Sequence, residues 1–127
     1  MSMSRGVAVL AVVALGGMAG TGLRFGVAEF ASGRGWPPAV ALLVVNTAGA
    51  FALGWFVEWR TRHDLGDLVV ALVSAGILAS FTTFSGVMVE AAELVRDSDV
   101  TAAALLLAAS LGSGWLSALA GRRLASR

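Results

Sequence analysis

The stretch GILASFTTFSG, residues 76–86, decides how this chain folds, because it places hydroxyl and aromatic side chains inside an otherwise apolar run. That run extends from Leu68 to Val89, with no charge between Asp67 and Glu90. Serine and threonine hydroxyls bond to nearby backbone groups and compete with the hydrogen bonds of a helix. We therefore predict a break in this helix. Unwound backbone at membrane depth is tolerated only beside protein or a water-filled cavity, so the break is expected at a protein interface.

Three further uncharged stretches accompany this one, and each is long enough to form a membrane-crossing helix, which needs roughly 20 apolar residues. They are Gly6 to Leu23, Gly35 to Val57 and Val100 to Gly121. The chain is 57% hydrophobic and 13% charged, against about 25% charged residues in soluble domains. We predict an all-α membrane protein forming a single domain, 1–127, with four transmembrane helices at about 6–28, 37–57, 67–95 and 100–121.

Two helices carry small or polar side chains at helical spacing. The first has a glycine face, which lets membrane helices approach closely; its members are Gly16, Gly17, Gly20 and Gly22. The fourth places the hydroxyls of Ser110, Ser113 and Ser117 on one face. Those hydroxyls either bond back to their own helix or pack closely against a neighbour, or they form a polar track.

The charges predict an orientation and exclude several functions. With four spans both termini share one side, which holds six of the nine arginines. Because positive residues stay cytoplasmic, both termini are expected inside. No nucleophile, base and orienting group converge on one face, so an enzyme is not expected, and a net charge of +1 does not indicate nucleic acid. Four spans leave little room for a solvated path within one subunit, so we expect a dimer.

Three motifs follow one another along the chain, one in each of the first three helices. In the first helix the motif is Gly16-Gly17, Gly20 and Arg24-Phe25. In the second it is Val45-Asn46, Gly49, Phe51 and Gly54, and in the third Phe81-Thr82-Thr83-Phe84-Ser85 followed by Glu90. Together these motifs resemble the Fluc or CrcB family of small dimeric fluoride channels. The resemblance implies an antiparallel dimer in the plasma membrane, in contact with lipid, with two narrow pores that pass fluoride passively out of the cell.

The resemblance also implies roles for individual residues. Asn46 would be the pore-lining amide, Phe84 would lie beside the ion path, and Arg24 would face a vestibule. Backbone carbonyls near Ala79 and Thr82 would hold a sodium ion at the dimer centre. The residue chemistry agrees, because conduction requires binding weak enough for the ion to leave, and neutral donors meet that need. Such donors are the amide of Asn46, the positive ring edge of Phe84 and the hydroxyls of Thr83, Ser110 and Ser113.

The chain departs from the family pattern in three places. The second phenylalanine after the break is replaced by Val87, and Gly86 takes the usual threonine position. The glycine pair before the break is Ala79-Ser80, and the Gly-Thr of the second helix is Ala41-Leu42. With the arginine bias, the missing pore groups favour the hypothesis that the chain works with a second, oppositely oriented partner subunit. Whether the subunits are identical, and whether one or two pores conduct, stays open.

Other interpretations of the same residues remain. Asn46 could serve only to hold helices together, and Arg24 and Glu90 could be anchors at helix ends. A small proton-coupled exporter would need a titratable carboxylate inside the membrane, but Glu90 lies at the end of a span and Glu29 in a link. A non-conducting scaffold subunit is a further alternative, although it has no need of a broken helix. Selectivity for fluoride over chloride rests on the resemblance.

Overall fold

The computed structural model describes residues 3–127, so the first two residues of the expected domain, 1–127, lie outside the described residues. The described chain forms α1 Met3–Ser32, α2 Pro38–Trp59, a 3-10 turn Arg60–Arg62, α3 Asp67–Val70, a π-helical segment Ala71–Leu78, α4 Ala79–Phe81, α5 Phe84–Arg96 and α6 Val100–Ala125. Four helical spans are long and apolar enough to cross a membrane: Ser4–Ser32, Pro38–Arg62, Asp67–Arg96 and Val100–Ala125. The prediction of an all-α membrane protein with four spans is confirmed.

The helices differ from the predicted bounds mainly at their ends. α1 continues to Ser32 rather than to about residue 28, so Glu29 lies within α1 and not in a link as expected. α6 continues to Ala125 rather than 121. α2 begins at Pro38 and ends at Trp59. A count of uncharged residues stops a span near its first charge, whereas arginine and glutamate are good helix formers that let a helix run on.

Close backbone contacts hold the helices in pairs. α1 lies against the π-helical segment through Gly16 and Gly20: a Cβ on Gly16 would be 2.6 Å from the Leu72 carbonyl oxygen, and one on Gly20 would overlap the carbonyl of Ile77. α2 lies against α6 in the same way, because a Cβ on Gly54 would overlap the Ala118 carbonyl. Of the predicted glycine face, Gly22 has no atom within 4 Å of a built Cβ and takes no part in the packing.

The third span has a π-helical first half, which the sequence analysis did not predict. Residues Ala71–Leu78 follow this wider winding, in which each backbone N–H bonds five residues back. Gly76 lies in this segment and contacts Gly16 of α1, since a Cβ on Gly76 would be 2.9 Å from the Gly16 Cα. The Ser74 hydroxyl donates to the Val70 carbonyl at 2.6 Å.

The third span is then interrupted at the stretch singled out in the sequence. α4 ends at Phe81, and the next two residues are extended: Thr82 has φ −79° and ψ 155°, and Thr83 has φ −147° and ψ 114°. α5 begins at Phe84, where the Thr83 hydroxyl accepts a hydrogen bond from the Gly86 N–H at 3.0 Å. Threonine in this position is a common helix N-cap, so the same residue ends the extended stretch and starts the next helix.

Beyond the break, α5 packs on α6 around a small apolar cluster. Its buried members are Val87, Ala91, Ala103 and Leu106. Most other large apolar side chains of the spans are exposed on the single chain, an arrangement suited to lipid or to another subunit rather than to water.

Candidate functional site

The side-chain amide of Asn46, on α2, forms two hydrogen bonds to the backbone of the third span where its helix is interrupted; this pair of bonds is called the Asn46 clasp. The Nδ2 of Asn46 donates to the Thr83 carbonyl at 3.0 Å, and its Oδ1 accepts from the Thr83 N–H at 2.8 Å. The amide thus satisfies both backbone groups of one extended residue, as a neighbouring β-strand would. Buried polar groups need such partners, and in hydrocarbon no water can supply them.

The clasp changes which groups are free at the break. In a continuous helix the Thr83 N–H would bond to the carbonyl four residues earlier, that of Ala79. Here Asn46 takes that N–H, so the Ala79 carbonyl loses its regular helical partner. An amide nitrogen carries two hydrogens, and only one of those on Asn46 is used by Thr83. One N–H of Asn46 therefore remains available.

A groove of about 550 Å³ runs beside the clasp. It brings together most of the residues predicted for the site: Asn46, Ala79, Thr82, Thr83, Phe84 and Ser110. The Phe84 side chain is 69% exposed on the single chain. The Ser110 hydroxyl is buried without a hydrogen-bond partner among the described residues. The groove thus combines neutral donors with an aromatic ring and, in its described lining, contains no charged side chain.

Arg24 and Ser113 lie outside this groove. Arg24 lines a separate cavity of about 580 Å³ with Glu29 and Trp36, and its Nη1 donates to the Thr82 carbonyl at 3.4 Å. Arg24 therefore lies between that cavity and the interruption of the third span. The Ser113 hydroxyl lies 2.9 Å from that of Thr47 and links α6 to α2. Its assignment to the ion path stays a prediction.

The three serines of α6 have three different environments, although the sequence placed them on one face. Ser110 faces the groove with an unpartnered hydroxyl, and Ser113 bonds to Thr47. Ser117 donates to the carbonyl of Gly114 on its own helix at 3.1 Å. Ser117 thus bonds back to its own helix and Ser113 serves helix packing. Among the described residues, Ser110 alone of the three lines the groove with an unpartnered hydroxyl, and a polar track stays a prediction.

Two of the departures from the family pattern lie in contact with each other. A Cβ on Gly86 would be 3.0 Å from Cδ2 of Leu42, so the small residue on α5 leaves room for the large one on α2. Val87, where the family pattern has a second phenylalanine, is 1% exposed and belongs to the core between α5 and α6. In this chain that position stabilises packing and presents no ring to the groove.

The carbonyls named for sodium fit a hard cation in part. Hard cations prefer oxygen ligands, and the Ala79 carbonyl is released by the clasp. The Thr82 carbonyl already accepts from Arg24, which leaves it one further lone pair. Among residues 3–127, no group of three or more His, Asp or Glu side chains could hold a metal ion. The chain thus offers backbone oxygens, too few on their own for a full coordination shell.

Sequence reasoning missed two contacts at the site. Thr47 was not singled out, although it follows Asn46 directly and faces Ser113 across the helix pair. The pair of hydrogen bonds between Asn46 and Thr83 was missed, because Asn46 was considered only for general helix packing. The signal for it was the coincidence of one amide on α2 with an interrupted backbone on the neighbouring span, since an extended residue at membrane depth needs one donor and one acceptor.

These features define a small, multi-pass helical membrane protein with an interrupted span beside a groove of neutral hydrogen-bond donors. Residues 11–122 match the family described as CrcB-like protein, Camphor Resistance (CrcB), and the chain belongs to this family.

Individual relatives cover nearly the whole chain. A protein of Roseobacter denitrificans named fluoride-specific ion channel FluC is 35% identical over 117 residues, which are 88% of this chain and 90% of the relative. Fluoride-specific ion channel FluC 1 of Rhodococcus jostii is 37% identical over 117 residues, 90% of this chain and 86% of the relative. A Novosphingobium aromaticivorans protein named fluoride-specific ion channel FluC is 34% identical over 107 residues, 82% of this chain and 85% of the relative.

Proposed function

We propose that this chain is a subunit of a fluoride-selective channel of the plasma membrane, which lets fluoride leave the cell passively and so lowers its cytoplasmic concentration. Membership of a family whose relatives are named fluoride-specific ion channels supports this function, and such proteins are transporters rather than enzymes. The structural observation that carries the proposal is the Asn46 clasp on Thr83 beside the groove.

The groove offers fluoride hydrogen-bond donors without a fixed positive charge. The remaining N–H of Asn46, the unpartnered hydroxyl of Ser110 and the ring edge of Phe84 are all neutral. A buried guanidinium would hold a small anion too tightly, whereas a channel needs binding weak enough for release. Arg24 bonds to the Thr82 carbonyl and does not line the groove. From this position its charge favours the entry of anions without trapping them.

A second subunit completes the path. The groove is open along the side where Phe84 is exposed, and the membrane interior provides no water to cover its polar groups. An antiparallel dimer would close it with the partner's surface, and sodium at the dimer centre would be held by the Ala79 and Thr82 carbonyls of both subunits. The partner is either a second copy or a paralogous chain; the excess of arginine on one side favours a chain of opposite orientation.

The alternative functions have less support from the structure. A proton-coupled exporter needs a carboxylate in its transport path, and the described lining of the groove contains neither Asp nor Glu. A scaffold subunit has no use for an interrupted span with an unpartnered hydroxyl at membrane depth.

The test is ion efflux from liposomes containing the purified chain, measured with fluoride and chloride electrodes. Rapid fluoride release without chloride release is expected, and Ser110→Ala is expected to slow it by about tenfold, the effect of one hydrogen bond of roughly 1.4 kcal/mol. Ser117→Ala is the matched control, because that hydroxyl bonds to its own helix. Equal release of fluoride and chloride would contradict the proposal. If the folded chain alone releases neither ion, the same assay with a co-expressed paralogous chain decides whether a partner is required.

A further inference from the structure

The two ends of the molecule differ sharply in charge. Three contacts bring the chain segments of one end together: Arg5 with Asp67, Arg62 with the end of α6, and Arg122 with Glu58. This arginine end contains six arginines, Arg5, Arg60, Arg62, Arg122, Arg123 and Arg127, against three carboxylates, Glu58, Asp64 and Asp67. The opposite half contains three arginines, Arg24, Arg34 and Arg96, against five carboxylates, Glu29, Glu90, Glu93, Asp97 and Asp99.

Part of the positive charge at the arginine end is already neutralised or fixed. Arg5 pairs with Asp67, and the Nε of Arg122 lies 3.5 Å from Glu58 Oε2. The two Nη atoms of Arg62 donate to the carbonyls of Ala125 and Ser126 at 3.0 and 2.7 Å, so they tie the loop after α2 to the end of α6. The guanidinium of Arg123 makes no hydrogen bond or ion pair within residues 3–127.

Arg123 borders a pocket of about 310 Å³ between the end of α2 and the last turns of α6. The other lining residues are Glu58, Leu119, Arg122 and Ser126. Glu58 is held by the Nε of Arg122, which leaves the two Nη groups of Arg122 free to bind an anion together with Arg123. Arginine recognises phosphate oxygens through its planar fork of donors.

Below this pocket, towards the middle of the membrane, the surface of α6 is apolar. Leu119 lines the pocket, and Trp115 and Leu116, one turn earlier on the same face, are 67% and 61% exposed. On α2, Trp55 and Trp59 stack with ring centroids 5.4 Å apart, and tryptophan is typical of the membrane interface. The pocket thus combines cationic donors at the membrane boundary with an apolar track leading into the bilayer.

We infer that this pocket, lined by Glu58, Leu119, Arg122, Arg123 and Ser126, uses its two arginines to bind the phosphodiester headgroup of an anionic phospholipid whose acyl chains lie along Trp115 and Leu116. A soluble phosphate would use the arginines but not the apolar track. A zwitterionic lipid would fit the track, but its choline group would face arginines. An anionic lipid satisfies both parts of the surface, and it binds at the end of the molecule predicted to face the cytoplasm, where such lipids are enriched.

The test is native mass spectrometry of the purified chain after incubation with dioleoyl phosphatidylglycerol or dioleoyl phosphatidylcholine. Phosphatidylglycerol is expected to be retained in preference to phosphatidylcholine. Arg123→Gln is expected to lower that retention about fivefold, the effect of one arginine near an anionic surface. The variant is expected to fold, because the Arg123 guanidinium has no hydrogen-bond or ion-pair partner to lose among residues 3–127.

Arg96→Gln is the matched control. Arg96 and Arg123 both lie in the last turn of a helix, so both substitutions remove one charge in a similar helical setting, at opposite ends of the molecule. Retention unchanged by Arg123→Gln, or lowered equally by Arg96→Gln, would overturn the inference. So would equal retention of phosphatidylcholine, or displacement of the lipid by excess inorganic phosphate, which would indicate a site for soluble anions. Because lipid retention is measured without ion flux, the result is independent of the proposed channel function.

Discussion

The two halves of the third span are held by opposite means. Before the break, the π-helical segment meets α1 backbone to backbone, with Gly16 and Gly76 in mutual contact. After Phe81, the backbone leaves the helix and one side chain, that of Asn46, satisfies both polar groups of Thr83. The first half requires the absence of side chains, and the second requires one particular side chain. One membrane span can thus pack closely through backbone contacts on one side of a break, while a side chain satisfies its polar backbone groups on the other.

Disturbing the backbone contact between α1 and the first half of the third span should cause the largest loss of stability. In Gly20→Ala the new Cβ would overlap the Ile77 carbonyl, which is backbone and cannot rotate away. We expect a loss of more than about 3 kcal/mol, above the usual range for overpacking, seen as lost folded protein or a lowered melting temperature in detergent. Gly22→Ala is the control, since its Cβ would meet no atom within 4 Å. Equal stability of the two variants would refute the backbone contact.

Removal of the Asn46 clasp should cause the second largest loss of stability. Asn46→Leu keeps a similar side-chain volume but leaves the N–H and carbonyl of Thr83 without partners, and each unsatisfied buried group costs about 1–3 kcal/mol. We expect a loss of about 2–3 kcal/mol, which corresponds to two unsatisfied groups near the lower end of that range. Thermal unfolding in detergent checks this value. A variant as stable as the parent chain would mean that Asn46 does not sustain the break.

The helix cap after the break should matter less. Thr83→Ala removes the hydroxyl that accepts from the Gly86 N–H, at a cost of about 1 kcal/mol. Thr83→Ser should restore most of that stability. Ser85→Ala provides the control, because the Ser85 hydroxyl contacts Thr83 Oγ1 at 3.2 Å without capping the helix. If Ser85→Ala costs as much as Thr83→Ala, the cap is not the reason for the loss.

The hydroxyl pair between α2 and α6 should give the smallest effect. Thr47→Val removes the bond to Ser113 and keeps the shape of the side chain. Bonds of this kind between membrane helices average about 0.6 kcal/mol, so the melting temperature in detergent should fall only slightly. A loss as large as that of Asn46→Leu would show that the α2–α6 contact depends on polar groups rather than on the close approach at Gly54.

The features that could be predicted from the sequence are those that depend on local chemistry. The four spans follow from runs of apolar residues, and the position of the interruption follows from hydroxyls that compete with the helix. Grouping Asn46, Phe84 and Ser110 at one groove required the family resemblance, because these residues come from three helices whose packing no local pattern encodes. The π-helical winding could not be predicted, since it depends on how closely Gly16 lets α1 approach Gly76.

The roles of the serines and of Arg24 show the same limit. Helical spacing correctly placed Ser110, Ser113 and Ser117 near one another, but only the packing of α2 on α6 determines that Ser113 bonds to Thr47. Arg24 lines a cavity, and its place beside a vestibule stays a prediction. Its bond to the Thr82 carbonyl could not be foreseen, because the direction of that carbonyl is set by the extended backbone at the break.

The central claim is that Asn46 both sustains the break and offers a donor to fluoride, and fluoride efflux from liposomes containing Asn46→Asp tests it most directly. Aspartate keeps an acceptor for the Thr83 N–H, but it replaces the donor with a negative oxygen that repels both the Thr83 carbonyl and an approaching anion. We expect fluoride efflux to fall by at least about a hundredfold, corresponding to roughly 2.7 kcal/mol, in protein that remains folded, with chloride still excluded. Fluoride efflux at the parent rate from the folded variant would contradict the account.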